Sequence, residues 1–167
     1  MAKGHIYKFF PQPIFSFEVD DYKNLNIELK KFIYEEHDRD KEGVKRSNIN
    51  GWHSKAFKFE KGNAAHKFAM HIEKYISIVF QQYGWPFKPD KVKISEMWSI
   101  INKKNGYNES HIHPNCLLSS VYYVQAEKNC GKIIFNNPNN PLGIMYSEDE
   151  VKKLPTDCGS LREAMES

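Results

Sequence analysis

His111 and His113 are separated by one residue, Ile112. On an extended strand successive side chains alternate faces, so both imidazoles would point the same way. Two neutral imidazoles on one side suit a divalent transition-metal ion, with an open face left for substrates. Pro114 cannot donate to a sheet ladder, which puts the pair at an edge or rim. The same spacing also describes two surface histidines in a polar loop, so the pair needs its context.

The elements that must position the pair follow from periodicity. Asp20-Asp21 precedes a helical pattern in which Leu25, Leu29, Phe32 and Ile33 form one apolar stripe, ending near His37. The charged stretch 38–50, which contains Gly43, reads as a loop. Phe68, Ile72, Tyr75, Ile76, Val79, Phe80 and Tyr83 share one face of a second helix over 66–83, stopped by Gly84 and Pro86. After Pro89 the period becomes two, with Val92, Ile94, Trp98 and Ile100 on one side of a strand and Glu96 an exception among them. Asn105-Gly106 supplies the positive-φ positions of a tight hairpin turn. Strand-like runs follow at 116–124 and 132–136. Aromatic residues broken by Pro11 and Pro13 make 5–19 an edge strand and a turn. Helices first and sheet afterwards indicate an α+β domain.

The totals bound the class. The chain has 167 residues, 24 basic and 21 acidic, interleaved along the chain, which argues against a nucleic-acid or membrane surface. No apolar run reaches signal-peptide or membrane-span length, so the expectation is a cytoplasmic protein. Cys116, Cys130 and Cys158 are odd in number and form no CxxC pair, which suits reduced thiols; Cys116 and Cys130 flank a strand and read as buried. Trp52, Trp85 and Trp98 read as core or rim packing.

The run Asn105 to Val124, with His111-Ile112-His113-Pro114 at its centre, resembles the metal-binding strand of a 2-oxoglutarate/Fe(II) oxygenase family common in phages and marine bacteria. Val44 to Ser54, containing Gly51-Trp52-His53, resembles that family's N-terminal signature, and Gly131 to Phe135 with Asn137-Pro138 resembles the strand and turn after the metal strand. The matches keep the family's order across roughly residues 10–140. The resemblance implies N-terminal helices backing a partial double-stranded β-helix (jelly roll). It implies Fe(II) on His111 and His113, with 2-oxoglutarate as cosubstrate, an unidentified substrate and a phage-encoded protein acting in a host cell. Most relatives of the wider superfamily carry a carboxylate where His113 stands. Asn108, Tyr122 and Tyr123 become the cofactor-binding candidates; for Asn102 and Asn108 the plainer role is as turn and edge residues.

The superfamily's distal histidine and its following Arg have no counterpart. The seven histidines stand at 5, 37, 53, 66, 71, 111 and 113, and the only Arg after the pair is Arg162. His53 and Glu96 are outside candidates for a third ligand, with loop orientation and pairing to a Lys as their plainer roles. The expected organisation is an oxygenase-like domain over 1–140 and an unmatched tail over 141–167 with short helices at Ser147-Glu148-Asp149-Glu150 and Ser160-Leu161-Arg162-Glu163. A frameshift, split gene or early stop would produce such a tail. Unpaired roll edges point to a homodimer or a complementing C-terminal polypeptide. The alternative to an oxygenase is a non-catalytic jelly-roll remnant or binding module.

Overall fold

The computed structural model describes residues 12–88 and 90–136. The chain divides into two units, Met1–Gln125 and Ala126–Ser167. Within the first, the order is α1 (Tyr22–Arg39), β1 (Asn48–His53), α2 (Ala64–Gln82) and β2 (Ile100–Asn108). This is a mixed helix-and-sheet arrangement in which the strands pair antiparallel.

Both helices lie where the apolar stripes put them. On α1, Leu29 is buried, with Leu25, Phe32 and Ile33 half-buried beside it. Phe32 meets Phe57 edge-on, with ring centres 5.0 Å apart. On α2, Phe68, Val79 and Phe80 are buried. Asn63 caps α2 by accepting from the His66 amide at 2.8 Å, which starts the helix two residues before the periodicity does. At the other end Gly84 adopts φ 66°, its amide donates to the Gln81 carbonyl and the Trp85 amide donates to that of Phe80. Those bonds, with the Phe80–Trp85 ring contact, form a Schellman termination.

The sheet departs from expectation. β1 occupies Asn48–His53, whose first three residues read as the end of a loop. Asn-Ile-Asn-Gly lacks both alternation and β-branched density, so its strand state comes from its partner rather than from local preference. Asn105-Gly106 is not the turn of a hairpin. Ile49 pairs with Tyr107 and Gly51 with Asn102, so both flanks of the dipeptide pair with the same strand. The intervening residues of β2 bulge outward, Asn105 takes φ 64°, and the Asn50 amide side chain closes the bulge on the Lys104 carbonyl at 2.8 Å.

The strand expected from Val92 begins only at Ile100. Val92 and Ile94 are half-buried between exposed Lys93 and Ser95, but the phase then slips: Glu96 is exposed and Ser99 buried. Hydrogen bonds nonetheless carry the pairing past the strand ends. The Ser54 amide donates to the Ser99 carbonyl (3.0 Å) and that of Phe57 to Met97 (2.8 Å); beyond the far end Glu109 donates to Ser47 (2.8 Å).

No strand occurs at 116–124 or 132–136, and 12–19 is likewise irregular. The runs have strand composition but belong to no sheet among the described residues. The described residues show a two-stranded antiparallel sheet, and a jelly roll is not shown among them. Cys116 and Cys130 are exposed, against the expectation of buried thiols, because no packed sheet covers them. In the second unit the described residues make a turn at Glu127–Cys130, closed by a 3.0 Å backbone bond, and leave Ile134 largely exposed. Residues 5–11, Cys158 and the two expected tail helices lie outside the described residues. No helix among the described residues is long and apolar enough to cross a membrane.

Candidate functional site

β2 delivers the histidine pair. The strand ends at Asn108, the Glu109 amide is tied to Ser47, and the chain then runs without regular structure to a turn at Pro114-Asn115, where Asn115 has φ 61°. His111 and His113 are therefore not brought to one side by strand alternation, as their spacing suggested. They meet through their rings, whose centres lie 5.0 Å apart at 62°.

Their surroundings fix the two rings differently. His111 is exposed, and its Nδ1 lies 2.7 Å from the Glu109 carbonyl oxygen. A carbonyl can only accept, so Nδ1 is the donor, and in the neutral ring Nε2 keeps its lone pair. His113 is half-buried, and its ring lies nearly parallel to the Trp98 indole, 5.4 Å between centres and 17° between planes. The Trp98 indole is also stacked with His53, at 5.6 Å and 14°. His53 ends β1, is buried, and donates from Nδ1 to the Ser54 carbonyl at 2.7 Å. Four rings thus form a connected group: His53, Trp98, His113, His111.

Trp52 precedes His53 on β1 and is held by other partners. Its indole N–H donates to the Asp40 carbonyl at 2.7 Å and its ring meets His37 edge-on. Gly43, at φ 61°, lies so close to the Trp52 ring and the His53 carbonyl that a Cβ would overlap both.

The other candidates lie elsewhere. Asn108 closes the strand end: its side-chain amide donates to Ser47 Oγ (3.4 Å) and its Oδ1 accepts from Asn102 (3.3 Å). Tyr122 faces the helices, donating to Asn26 Oδ1 at 2.6 Å and packing on Phe68 with ring centres 4.9 Å apart. Burial there pushes its phenol pKa up, against the opposing effect of the Asn26 bond. Tyr122 and Tyr123 line an open cleft of about 590 Å³ together with Glu18, Asp20, Asp21 and Asn26. Within it Lys74 holds the Asp20 carboxyl below its usual range by hydrogen bonding and charge.

The donor set can be tested against an Fe(II) ion. Two imidazoles bonded to a shared ion at ~2.1 Å keep their ring centres roughly 4.5–5.2 Å apart, from bond lengths and an angle near 90–110°. The separation of His111 and His113 falls in that range. The Glu109 carbonyl supplies the outer hydrogen bond that a ligating imidazole commonly makes through its other nitrogen. Among the described residues no group of three His, Cys, Asp or Glu side chains is placed to hold an ion, so His53 does not complete the pair and neither does Glu96. The His111–His113 separation is compatible with two ligands on one ion and equally with an ordinary edge-to-face ring contact.

Trp98 is the residue whose place sequence reasoning missed. It reads as packing, and its contact with His113 arises because β1, β2 and the segment after β2 converge, which no local pattern reports. Only its position, two residues before β2, hinted that it lies on the route to the histidines.

One family model matches the chain, that described as "Putative 2OG-Fe(II) oxygenase", over residues 96–161. The match is less than half of the chain and contains Trp98, Asn108, His111, His113, Tyr122 and Tyr123. It begins downstream of Trp52-His53 and runs past Asn139, where the resemblance read from the sequence stops. No curated protein and no solved structure matches.

Proposed function

We propose that this chain carries the iron-binding segment of a 2-oxoglutarate- and Fe(II)-dependent oxygenase, with His111 and His113 as two of the metal ligands. The observation that supports the reading is a coincidence: the region matched by an oxygenase family model contains a histidine pair whose ring separation is compatible with a shared ion.

When bound, Fe(II) with 2-oxoglutarate and O2 supplies oxidative decarboxylation to succinate and CO2 coupled to hydroxylation of a substrate C–H bond. The chain's own part is to present two neutral nitrogens. Glu109 holds His111 in the tautomer that leaves Nε2 free, and Trp98 covers one side of His113. Asn108, Tyr122 and Tyr123 are the polar groups this reading offers to 2-oxoglutarate. Recruiting Tyr122 would exchange its bond to Asn26. The reading also takes the strand-like runs after His113 as strands of a jelly roll whose remaining ligand and carboxylate clamp come from outside the described residues.

The test is anaerobic Fe(II) calorimetry on the full chain beside His111→Ala and His113→Ala, with succinate formation from 2-oxoglutarate followed in parallel. Fe(II) heat should disappear in both variants while the melting temperature stays where it was, and succinate should form only with the pair intact. A wild-type titration that cannot be told from that of His111→Ala would overturn the proposal, leaving a binding module as the reading of the same fold.

A further inference from the structure

The two histidines are oriented by different means, and the second of these carries a consequence for metal binding. His111 is set by a hydrogen bond to the Glu109 carbonyl. His113 follows it on an irregular segment, so no ladder fixes its ring; the Trp98 indole lies against it almost in parallel. Trp98 is itself held on both sides in sequence. The Met97 carbonyl accepts from Phe57 (2.8 Å), the Ser99 carbonyl accepts from Ser54 (3.0 Å), and the Ser99 amide donates to Ser54 Oγ (3.0 Å). The buried His53 ring stacks on the same indole.

We infer that Trp98 is a positioning residue for His113: its indole fixes the imidazole plane, so the His111–His113 pair is already arranged before an ion arrives. This rests on the metal-binding reading above. A flat wall removes rotational freedom that ion binding would otherwise have to remove, and outer-shell partners of ligating histidines contribute about ten- to hundredfold in metal affinity. The role needs a flat aromatic face and not an indole N–H, so Phe should replace Trp98 and an aliphatic side chain of comparable bulk should not.

The experiment compares wild type, Trp98→Phe, Trp98→Leu and His111→Ala as full chains, with Co(II) as an air-stable probe in calorimetry and His113 ring protons followed by NMR without metal. Far-UV circular dichroism checks the fold, and Leu is chosen because it fills most of the volume that Ala would empty. Trp98→Leu should weaken Co(II) binding by about ten- to hundredfold and shift the His113 ring protons as the indole ring current is lost. Trp98→Phe should recover most of the affinity. Equal Co(II) affinity in the Phe and Leu variants and wild type would overturn the positioning role while leaving the metal reading intact. A wild type that binds Co(II) no better than His111→Ala would overturn the metal reading and the positioning role with it.

Discussion

Residues 22–108 and residues 109–125 belong to one unit, yet every buried apolar side chain among the described residues lies in the first. In the first stretch Leu29, Trp52, Phe68, Val79 and Phe80 are all buried. In the second, Ile112 is 85% exposed and Leu117 67%. The difference is one of partners. A helix supplies its own backbone hydrogen bonds, and α1 and α2 need only each other's stripe to cover an apolar face. The later segment has the composition of strands, and a strand is satisfied only by another. The candidate ligands His111 and His113 sit in this second stretch, and they are ordered through what the first stretch lends them: the Trp98 wall and the Ser47 anchor of Glu109.

The sharpest way to break that comparison is to empty the core of the first stretch. Phe80 is 6% exposed and touches both Trp85 and Phe87. Phe80→Ala should cost about 3–5 kcal/mol in urea unfolding, the range for a buried Phe truncated to Ala. A loss under about 1 kcal/mol would mean that this half has no better core than the other.

Gly43 comes next, because it packs the loop before β1 against Trp52 and the end of β1. Gly43→Ala places a Cβ into the Trp52 ring and the His53 carbonyl at a positive φ. The left-handed conformation alone costs about 1–2 kcal/mol for a non-glycine residue. The overlap should add to that, so thermal unfolding should fall below the shift expected from strain alone. An unshifted melting curve would show that Trp52 and the loop beside it are loosely held.

Tyr122 ties the second stretch to both helices, through Asn26 of α1 and Phe68 of α2. Tyr122→Phe removes its bond to Asn26 and should cost about 1 kcal/mol by chemical denaturation. Its titration gives a second measure. The folded pKa is raised, chiefly by burial, above the ordinary tyrosine value of 10.0. The contribution to stability is therefore fully present below pH 10.0 and is lost as pH rises through the folded value. Absorbance near the phenolate band should show one tyrosine titrating late, and that step should vanish in Tyr122→Phe.

The same division governs what could be read in advance. Both helices were legible because their signal is local: an apolar residue every three or four positions, with Gly84 and Pro86 to end α2. β1 was not, since Asn48-Ile49-Asn50-Gly51 becomes a strand by pairing with residues some fifty positions away. Asn105-Gly106 did take a positive φ, but whether such a dipeptide turns a hairpin or bulges a strand depends on which strand its flanks join. The histidine pair was visible as residue types at a spacing. Its geometry was not, because Trp98 and Glu109, rather than strand alternation, set it.

The smallest effect is the most discriminating. Ile112 lies between the two histidines, and on a strand in a packed sheet its side chain would face away from them into a neighbouring layer. Here it is 85% exposed. Burying an isoleucine is worth about 1.5–3 kcal/mol, and leaving it in water is worth almost none of that. Ile112→Ser should therefore change the unfolding free energy of the chain by less than about 0.5 kcal/mol, with the far-UV spectrum unaltered. The same substitution would cost several times more if the segment were stacked in a sheet, whether with its own chain or with a second copy. Measuring it at low and at high protein concentration separates those cases: a cost that appears only at high concentration reports a sheet completed between chains. A cost present at both means that Ile112 is packed within one chain, and the contrast between the two stretches fails at the residue where it is most pronounced.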